Sequence, residues 1–406
     1  MNIQIQEILK ENNGVLPKLA GGAFFLLFPG FFFYQSALGL EYIYGFLGGY
    51  FGVVSVVLAL PLVVLAIASY LKSTKTFTLF DGVFFLIVGW IGLVASSAYV
   101  LGDLAGNLEL LVWSYSGILF NIICFIIAKH LPIDLKSFLR VIFLSLLMMI
   151  VIVYSFNNDG LFYLRLSSDQ EGLSTYQGFA RSLAVTGLVL VSIMLKSPAK
   201  IFFISLFTAV ALFLNGARSE FVLFIVGVII LTFSSILLNK KRVIAWTFIV
   251  IAAFSFGMSY LQNLDAIKDW LPQTRMLELF DLDSSSSGET RVHFRQVAAN
   301  TISNNPVFGH YGSYVITEDS IGAYSHNLLS AWVNLGVFGF FLYALAIGIM
   351  LIKMLRSVCH PNDPVSRCII TFVPFLVISY ILSKDYSFMI FGLTMGFCSR
   401  QQISFD

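Results

Sequence analysis

Residues 213–224 read FLNGARSEFVLF, inside an almost unbroken apolar run from Ile201 to Leu238. The stretch on either side is built for lipid, so the Asn-Gly-Ala-Arg-Ser-Glu segment reads as a turn between two membrane helices. A charged side chain at bilayer depth is costly, and its default reading is functional. The bland alternative is that Arg218 only marks a hydrophilic turn. The choice depends on which side of the membrane that turn faces.

Composition sets the class. The chain of 406 residues is 58% hydrophobic, 16% aromatic and only 11% charged, with mean hydropathy +0.87. Soluble domains carry about 25% charged residues, so the fold class expected is all-α, a polytopic helical membrane protein. The net charge of +2 gives no basic patch for nucleic acid. The opening residues lack the small-residue cleavage site of a signal peptide, so the first apolar run is expected to stay as a helix. Cys124, Cys359, Cys368 and Cys398 show no CxxC or Cys/His spacing. Neither a disulfide nor a metal site is indicated.

A spanning helix needs roughly 20 apolar residues. The apolar runs predict about twelve spans, at 18–35, 48–71, 78–101, 108–128, 137–156, 177–195, 200–215, 219–238, 243–262, 326–352, 367–383 and 386–398. They form a single membrane domain, 1–406. Residues 263–324 make one long loop between the ninth and tenth spans. Orientation follows from Lys and Arg in short loops. With the N-terminus in the cytoplasm, 16 of the 24 basic residues fall on the inner side, and KSTK, KSPAK and NKKR all lie there. Both termini are then expected in the cytoplasm.

The inner cations are mostly lysine and follow the topology rule. Of the eight outer ones six are arginine: Arg165, Arg181, Arg218, Arg275, Arg291 and Arg295, beside Lys268 and Lys384. Outer arginines oppose that rule, so another function is expected to hold them. Arginine suits bidentate recognition of phosphate, and at a membrane surface that points to a lipid-linked phosphate. The competing reading pairs them with outer acids such as Glu220 and Asp283.

The long loop has parts. DAIKDWLPQTRMLELF (265–280) suits an amphipathic segment lying on the membrane, and DLDSSSSGE follows as a polar, mobile linker. TRVHFRQVAANTIS (290–303) reads as a helix that stops at Asn304-Asn305-Pro306. Phe294, Val297, Ala298 and Ile302 form its packing face. Arg291 and Arg295, at i and i+4, share one side near the helix start, where free amides favour an anion. Four basic residues stand against eight acidic ones in this loop, net −4, so any anion site there is local. After NNPVFGHYGSY the chain returns to the membrane in AYSHNLLSAWVNLGVFGFF, with His326 and Asn327 at the outer end and Gly336 and Gly339 allowing close packing.

At NGARSEF, at the arginine helix followed by NPVFGHYGS, and at SHNLLSAWVNLGVFG, the sequence resembles the O-antigen ligase/polymerase family. The resemblance covers most of residues 170–400. It implies a GT-C-like fold and an inverting, metal-independent glycosyltransferase at the periplasmic face of the bacterial inner membrane. The donor and acceptor are glycans linked to polyprenyl (undecaprenyl) diphosphate. Membrane lipids and a chain-length regulator protein are further partners, and no cofactor is needed. By the same resemblance His326, Arg218 and Arg291 are the candidate catalytic residues. Arg295, Asn327, Arg165 and Arg181 are candidates for substrate binding, with His293 and His310 as weaker rivals of His326. Ligases of the family often carry an acid shortly after the His-Asn pair. Leu328, Leu329 and Ser330 stand there instead, which favours an O-antigen polymerase over a ligase acting on lipid A-core. A flippase or transporter would show repeated halves with broken helices at the midplane, and no such repeat is found. The outer-loop acidic motif of a peptidoglycan glycosyltransferase is not recognisable either.

Topology is testable directly. On a Cys-free background, Ser285→Cys in intact spheroplasts is expected to react with a membrane-impermeant thiol reagent and Ser197→Cys to resist it. The opposite pattern overturns the orientation.

Overall fold

The apolar runs become helices at nearly the expected boundaries. The computed structural model describes residues 14–43, 55–72, 77–101, 108–157, 162, 175–194, 198–237, 286–318, 325, 327–360 and 362–400, and no strand occurs among them. In chain order the helices are α1 (Val15–Gly39), α2 (Ser55–Lys72), α3 (Leu79–Leu101), α4 (Leu108–His130), α5 (Lys136–Ser155), α6 (Thr175–Ile193), α7 (Pro198–Asn215) and α8 (Arg218–Leu237). Then come α9 (Ser286–Asn304), α10 (Ser313–Glu318), α11 (Leu329–Val358), α12 (Pro364–Leu382) and α13 (Ile390–Ser399). Six of those described are long and apolar enough to cross a membrane: α1, α3, α4, α5, α11 and α12. The described residues are all-helical, and these six helices fit a membrane protein. The expected span at 243–262 and the surface segment at 265–280 lie outside the described residues.

Among the described residues, three prolines sit beyond the first turn of their helix, each tolerated for a local reason. Pro29 lies in a π-helical turn, Leu26–Gly30, whose wider ring takes up the missing N–H and the clash with the preceding turn. Pro61 and Pro374 sit inside α2 and α12, where neighbouring groups in a bundle relieve the freed carbonyls.

The last helix is the shortest expected span, and it is enclosed by protein. Every residue of α13 is buried. A Cβ on Gly392 would lie 2.1 Å from the Asn121 carbonyl oxygen, and one on Gly396 2.2 Å from that of Phe125. This Gly-xxx-Gly face therefore lets the α13 backbone touch α4, as small residues do between membrane helices. The Asn121 side chain closes the contact, accepting the Gly392 N–H (3.0 Å) and donating to the Ser387 carbonyl (3.0 Å).

One buried carboxylate ties four segments at the end that the lysine bias assigns to the cytoplasm. Asp81 is fully buried. It pairs with Lys129 of α4 at 2.6 Å and accepts the Tyr70 hydroxyl of α2 (2.8 Å) and the Ser399 hydroxyl of α13 (3.0 Å). Thr78 donates to it from both its backbone N–H (2.6 Å) and its hydroxyl (2.5 Å). Lys129 Nζ also lies 4.6 Å from the Tyr70 ring centroid. An ion pair this buried is held in place by its many hydrogen bonds rather than by its own net energy. Nearby on the same side, Arg367 donates to the backbone carbonyls of Ser192 and Ile193 and so caps α6.

Breaking that pair should cost more than removing it. Asp81→Leu leaves Lys129 buried without its counter-charge and is expected to cost about 3–5 kcal/mol. Combining it with Lys129→Met is expected to recover most of the loss, read as thermal unfolding in detergent. Equal stability of the single and double variants would contradict this account.

Candidate functional site

The long loop and the re-entrant segment are built into each other. Asn327 Oδ1 accepts the Leu329 N–H (2.9 Å) and the Ser325 hydroxyl (2.9 Å), so this side chain starts the helix that follows. The Leu328 N–H donates to the Tyr380 carbonyl (2.9 Å), anchoring the same point to the end of α12. Two turns later the helix breaks at Gly336, with φ 70° and ψ −177°. The break changes hydrogen-bond partners. The Val337 N–H, which a continuous helix would direct at Val333, donates instead to the Val307 carbonyl (3.2 Å). The freed Val333 carbonyl accepts the His310 N–H (2.6 Å), and the Leu335 carbonyl accepts Trp90 Nε1 (3.1 Å). Gly312 N–H donates to Asn334 Oδ1 (3.0 Å), and Trp332 Nε1 to the Pro306 carbonyl (2.9 Å). Turn 305–312 thus fills the gap in α11, and the groups freed by the irregular backbone are paired there. Two glycines are obligatory. Gly336 has positive φ, and a Cβ there would lie 2.1 Å from Val307 O; one on Gly309, also at φ 70°, would lie 2.6 Å from Gly336 N and from Val333 O. Gly336 was expected to ease helix packing; it breaks the helix instead, because a second backbone occupies its side.

The arginine helix docks on the same segment. Phe294, Ala298, Tyr314 and Val333 form a small core with Val297 and Ile302 against it, matching the expected packing face. Arg291 and Arg295 both stand on the exposed side of α9. The helix begins earlier than the sequence suggested, at Ser286 within the serine run. Arg291 therefore lies in the second turn and Arg295 in the third. The first-turn amides and the helix dipole act within one turn and do not serve these arginines.

Arg218 sits on a different element. It is the half-buried first residue of α8, after a turn through Gly216 at φ 75°. The next turn is pinned from across the bundle. Glu220 Oε1 pairs with Lys384 Nζ at 2.6 Å and its Oε2 accepts the Ser219 hydroxyl (2.6 Å). So the acid two residues after Arg218 is bound to a lysine from the connector after α12. Arg181 is half-buried in the second turn of α6. His326 and Arg165 lie outside the described residues. Of the rival histidines, His293 is exposed on α9 and His310 is half-buried in the docked turn.

Sequence reasoning missed a buried carboxylate beside this segment. Asp385 lies in the connector between α12 and α13, and its Oδ2 accepts the Ser387 hydroxyl (2.7 Å). The neighbouring Tyr386 donates its N–H to Ser330 Oγ (3.0 Å) and accepts the Tyr343 hydroxyl at its carbonyl (2.8 Å). Across a cleft lined by Trp113, Ser114, Asn121, Tyr311, Tyr343 and Tyr386, Tyr311 donates to Ser114 (2.5 Å). Burial raises the Asp385 carboxyl above its ordinary value, while the Ser387 hydrogen bonds and Lys384 hold part of that rise back. Burial also pushes the Tyr314 phenol up to about 12. In the sequence Asp385 is one acid in SKDYSF, and only its enclosure distinguishes it.

A family model described as O-antigen ligase matches residues 203–344. The matched region runs from α7 through the docked turn into α11, and includes Arg218, Arg291, Arg295 and Asn327. The match lies over the motifs on which the resemblance to the O-antigen ligase/polymerase family rests. No curated protein matches the chain.

The raised Asp385 carboxyl gives a signed pH effect. Its folded value lies above the unfolded one, so its contribution to stability is complete below about pH 4 and is lost as pH rises through the folded value. Asp385→Asn is expected to flatten the fall in thermal stability above pH 4, and to match or exceed the wild type at pH 7.5. Parallel pH curves for the two proteins would contradict the burial account.

Proposed function

We propose that this protein is an O-antigen polymerase, joining polyprenyl-diphosphate-linked repeat units at the periplasmic face of the bacterial inner membrane. The observation that carries the reading is the docking of the arginine helix and turn 305–312 on the segment that begins at Asn327. Arg291, Arg295 and Asn327 lie on these packed segments and inside the family match. The full architecture in this reading is a single membrane domain of twelve spans with a GT-C-like arrangement. Residues 263–324 form its periplasmic loop, and both termini are cytoplasmic.

The chemistry is a glycosyl transfer with inversion. A hydroxyl of the acceptor sugar attacks the anomeric carbon of the donor glycan. The new C–O bond forms as the bond from that carbon to the diphosphate oxygen breaks, and polyprenyl diphosphate leaves. Charge collects on the leaving diphosphate. Arg218, Arg291 and Arg295 are assigned to hold it, since preorganised cations act best where charge develops. Arg165 and Arg181 are assigned to the donor at the outer end of the sixth span. His326, with an ordinary pKa near 6.5, takes the hydroxyl proton or orients the hydroxyl. Asn327 uses its Nδ2, because its Oδ1 is committed to Leu329 and Ser325. A chain-length regulator is a further partner in this reading.

A ligase that passes the glycan to lipid A-core is the second reading, favoured by the family description itself. Deleting the gene separates the two on a lipopolysaccharide gel. Core plus one repeat is expected for a polymerase. Core alone, with lipid-linked polymer accumulating, means a ligase, and an unchanged ladder removes both.

The residue roles are tested on purified protein. His326→Ala is expected to bind a polyprenyl-diphosphate glycan normally and to lose transfer. Loss of both moves His326 to the phosphate site, and normal transfer leaves it a structural cap. Arg218→Ala and Arg291→Ala are expected to lose about 1.5–3 kcal/mol of donor interaction, and Arg→Lys to remain impaired. Polymer of wild-type length at normal protein levels would refute the arginine assignment.

A further inference from the structure

The turn that presents Arg218 contains a second polar group that the reaction above does not use. Asn215 ends α7, one residue before the positive-φ Gly216, and is only 3% exposed. Neither its Nδ2 nor its Oδ1 makes a hydrogen bond among the described residues. A buried amide with both ends unpaired costs a large fraction of a domain's net stability, and most buried polar side chains do have partners. The neighbouring backbone is well tied. Gly216 N–H donates to the Phe213 carbonyl (3.0 Å), and the Leu214 carbonyl accepts the Phe162 N–H (2.8 Å). Phe162 in turn stacks on Phe32 of α1, with ring centroids 6.1 Å apart, and meets Phe179 of α6 edge-on at 5.3 Å. The outer ends of α1, α6 and α7 thus converge on one aromatic contact. Beyond Phe32 on α1, buried Gln35 Oε1 and Ser36 Oγ also lack partners among the described residues. This outer end holds unpaired polar atoms of both kinds, donor and acceptor.

The chemistry of the amide narrows what would pair with it. A phosphate oxygen only accepts, and would leave Oδ1 bare. A sugar hydroxyl or an acetamido group both donates and accepts, and so engages both ends of an asparagine. Asn215 lies three residues from Arg218, so the two Cα atoms are within about 11 Å even if the chain were extended. That separation suits a sugar joined directly to the diphosphate on Arg218. We infer that Asn215 is a binding residue for the sugar attached to the diphosphate of the lipid-linked donor, and that it recognises a hydroxyl or acetamido group there. The inference rests on the proposed glycosyl transfer and adds a sugar-reading position to its phosphate site.

The test compares three lipids on the purified full chain: undecaprenyl diphosphate, the same lipid carrying one hexose, and the same lipid carrying one N-acetylhexosamine. Asn215→Leu is expected to keep or raise the melting temperature, since it removes an unpaired buried amide. It should leave binding of the bare lipid unchanged and weaken a sugar-bearing lipid about tenfold, the effect of one lost hydrogen bond. The lipid that loses affinity tells hydroxyl from acetamido recognition. Equal weakening of all three lipids makes Asn215 a phosphate ligand and overturns the inference. So does no weakening, or a wild type that binds sugar-bearing lipids no better than the bare one. If Asn215→Leu does not fold, Asn215→Ala is read in the same way. Arg218→Ala should weaken all three lipids. If it weakens none, or if the wild type does not bind the bare lipid, the glycosyl-transfer reading itself fails.

Discussion

The exchange of backbone hydrogen bonds at Gly336 is the constraint on which the placement of the long loop depends. A helix that ran without a break would keep the Val337 N–H for Val333 and leave the Val307 carbonyl and the His310 N–H of turn 305–312 without these backbone partners. Because the chain breaks there, two groups on α11 become available, and Val307 and His310 take them. The loop is therefore joined to the membrane domain by main-chain bonds in addition to side-chain packing. Glycine is required on both sides of the contact, at 309 and 336, since a Cβ on either would overlap the other backbone. The arginine helix inherits its position from this joint, through the contact of Phe294 and Ala298 with Val333.

Charge is used differently in two places in the bundle. Asp81 is surrounded by donors from α2, α4 and α13, and the group has no surface left for a ligand. Glu220 and Lys384 neutralise each other between α8 and the connector after α12. That pair fixes the first turn of α8, whose first residue is Arg218. The connector that supplies Lys384 also supplies Asp385 and Tyr386, and it touches the re-entrant segment at Ser330. Arg218 and the segment from Asn327 onward thus share one support.

Hydropathy and charge were enough to read the class, the helix boundaries and the two arginines of α9 as one side of a helix. These are properties of the chain on the scale of a few turns. A 20-residue apolar run has few alternatives to a membrane helix, because every backbone group must be bonded internally. The i, i+4 spacing puts Arg291 and Arg295 together whatever α9 packs against. The outer turn at Asn215-Gly216 and the stop at Asn304 were legible for the same reason.

What the tertiary structure decided are the contacts between distant segments. Gly336 reads in sequence as one more small residue on a packing face, and only the arrival of turn 305–312 makes it a break. The α9 start at Ser286 moved the arginines out of the first turn, since a serine run carries no apolar period to mark a helix. Asp385, Lys384 and Asn215 are ordinary residues in sequence. Their character comes from what encloses them: a carboxylate with a hydroxyl and aromatic neighbours, an ammonium beside Glu220, an amide with no hydrogen-bond partner among the described residues. Local sequence sets conformation and sidedness, because those depend on neighbours within a turn or two. Burial, pairing and protonation depend on residues a hundred or more positions away, and only the packed bundle brings those together.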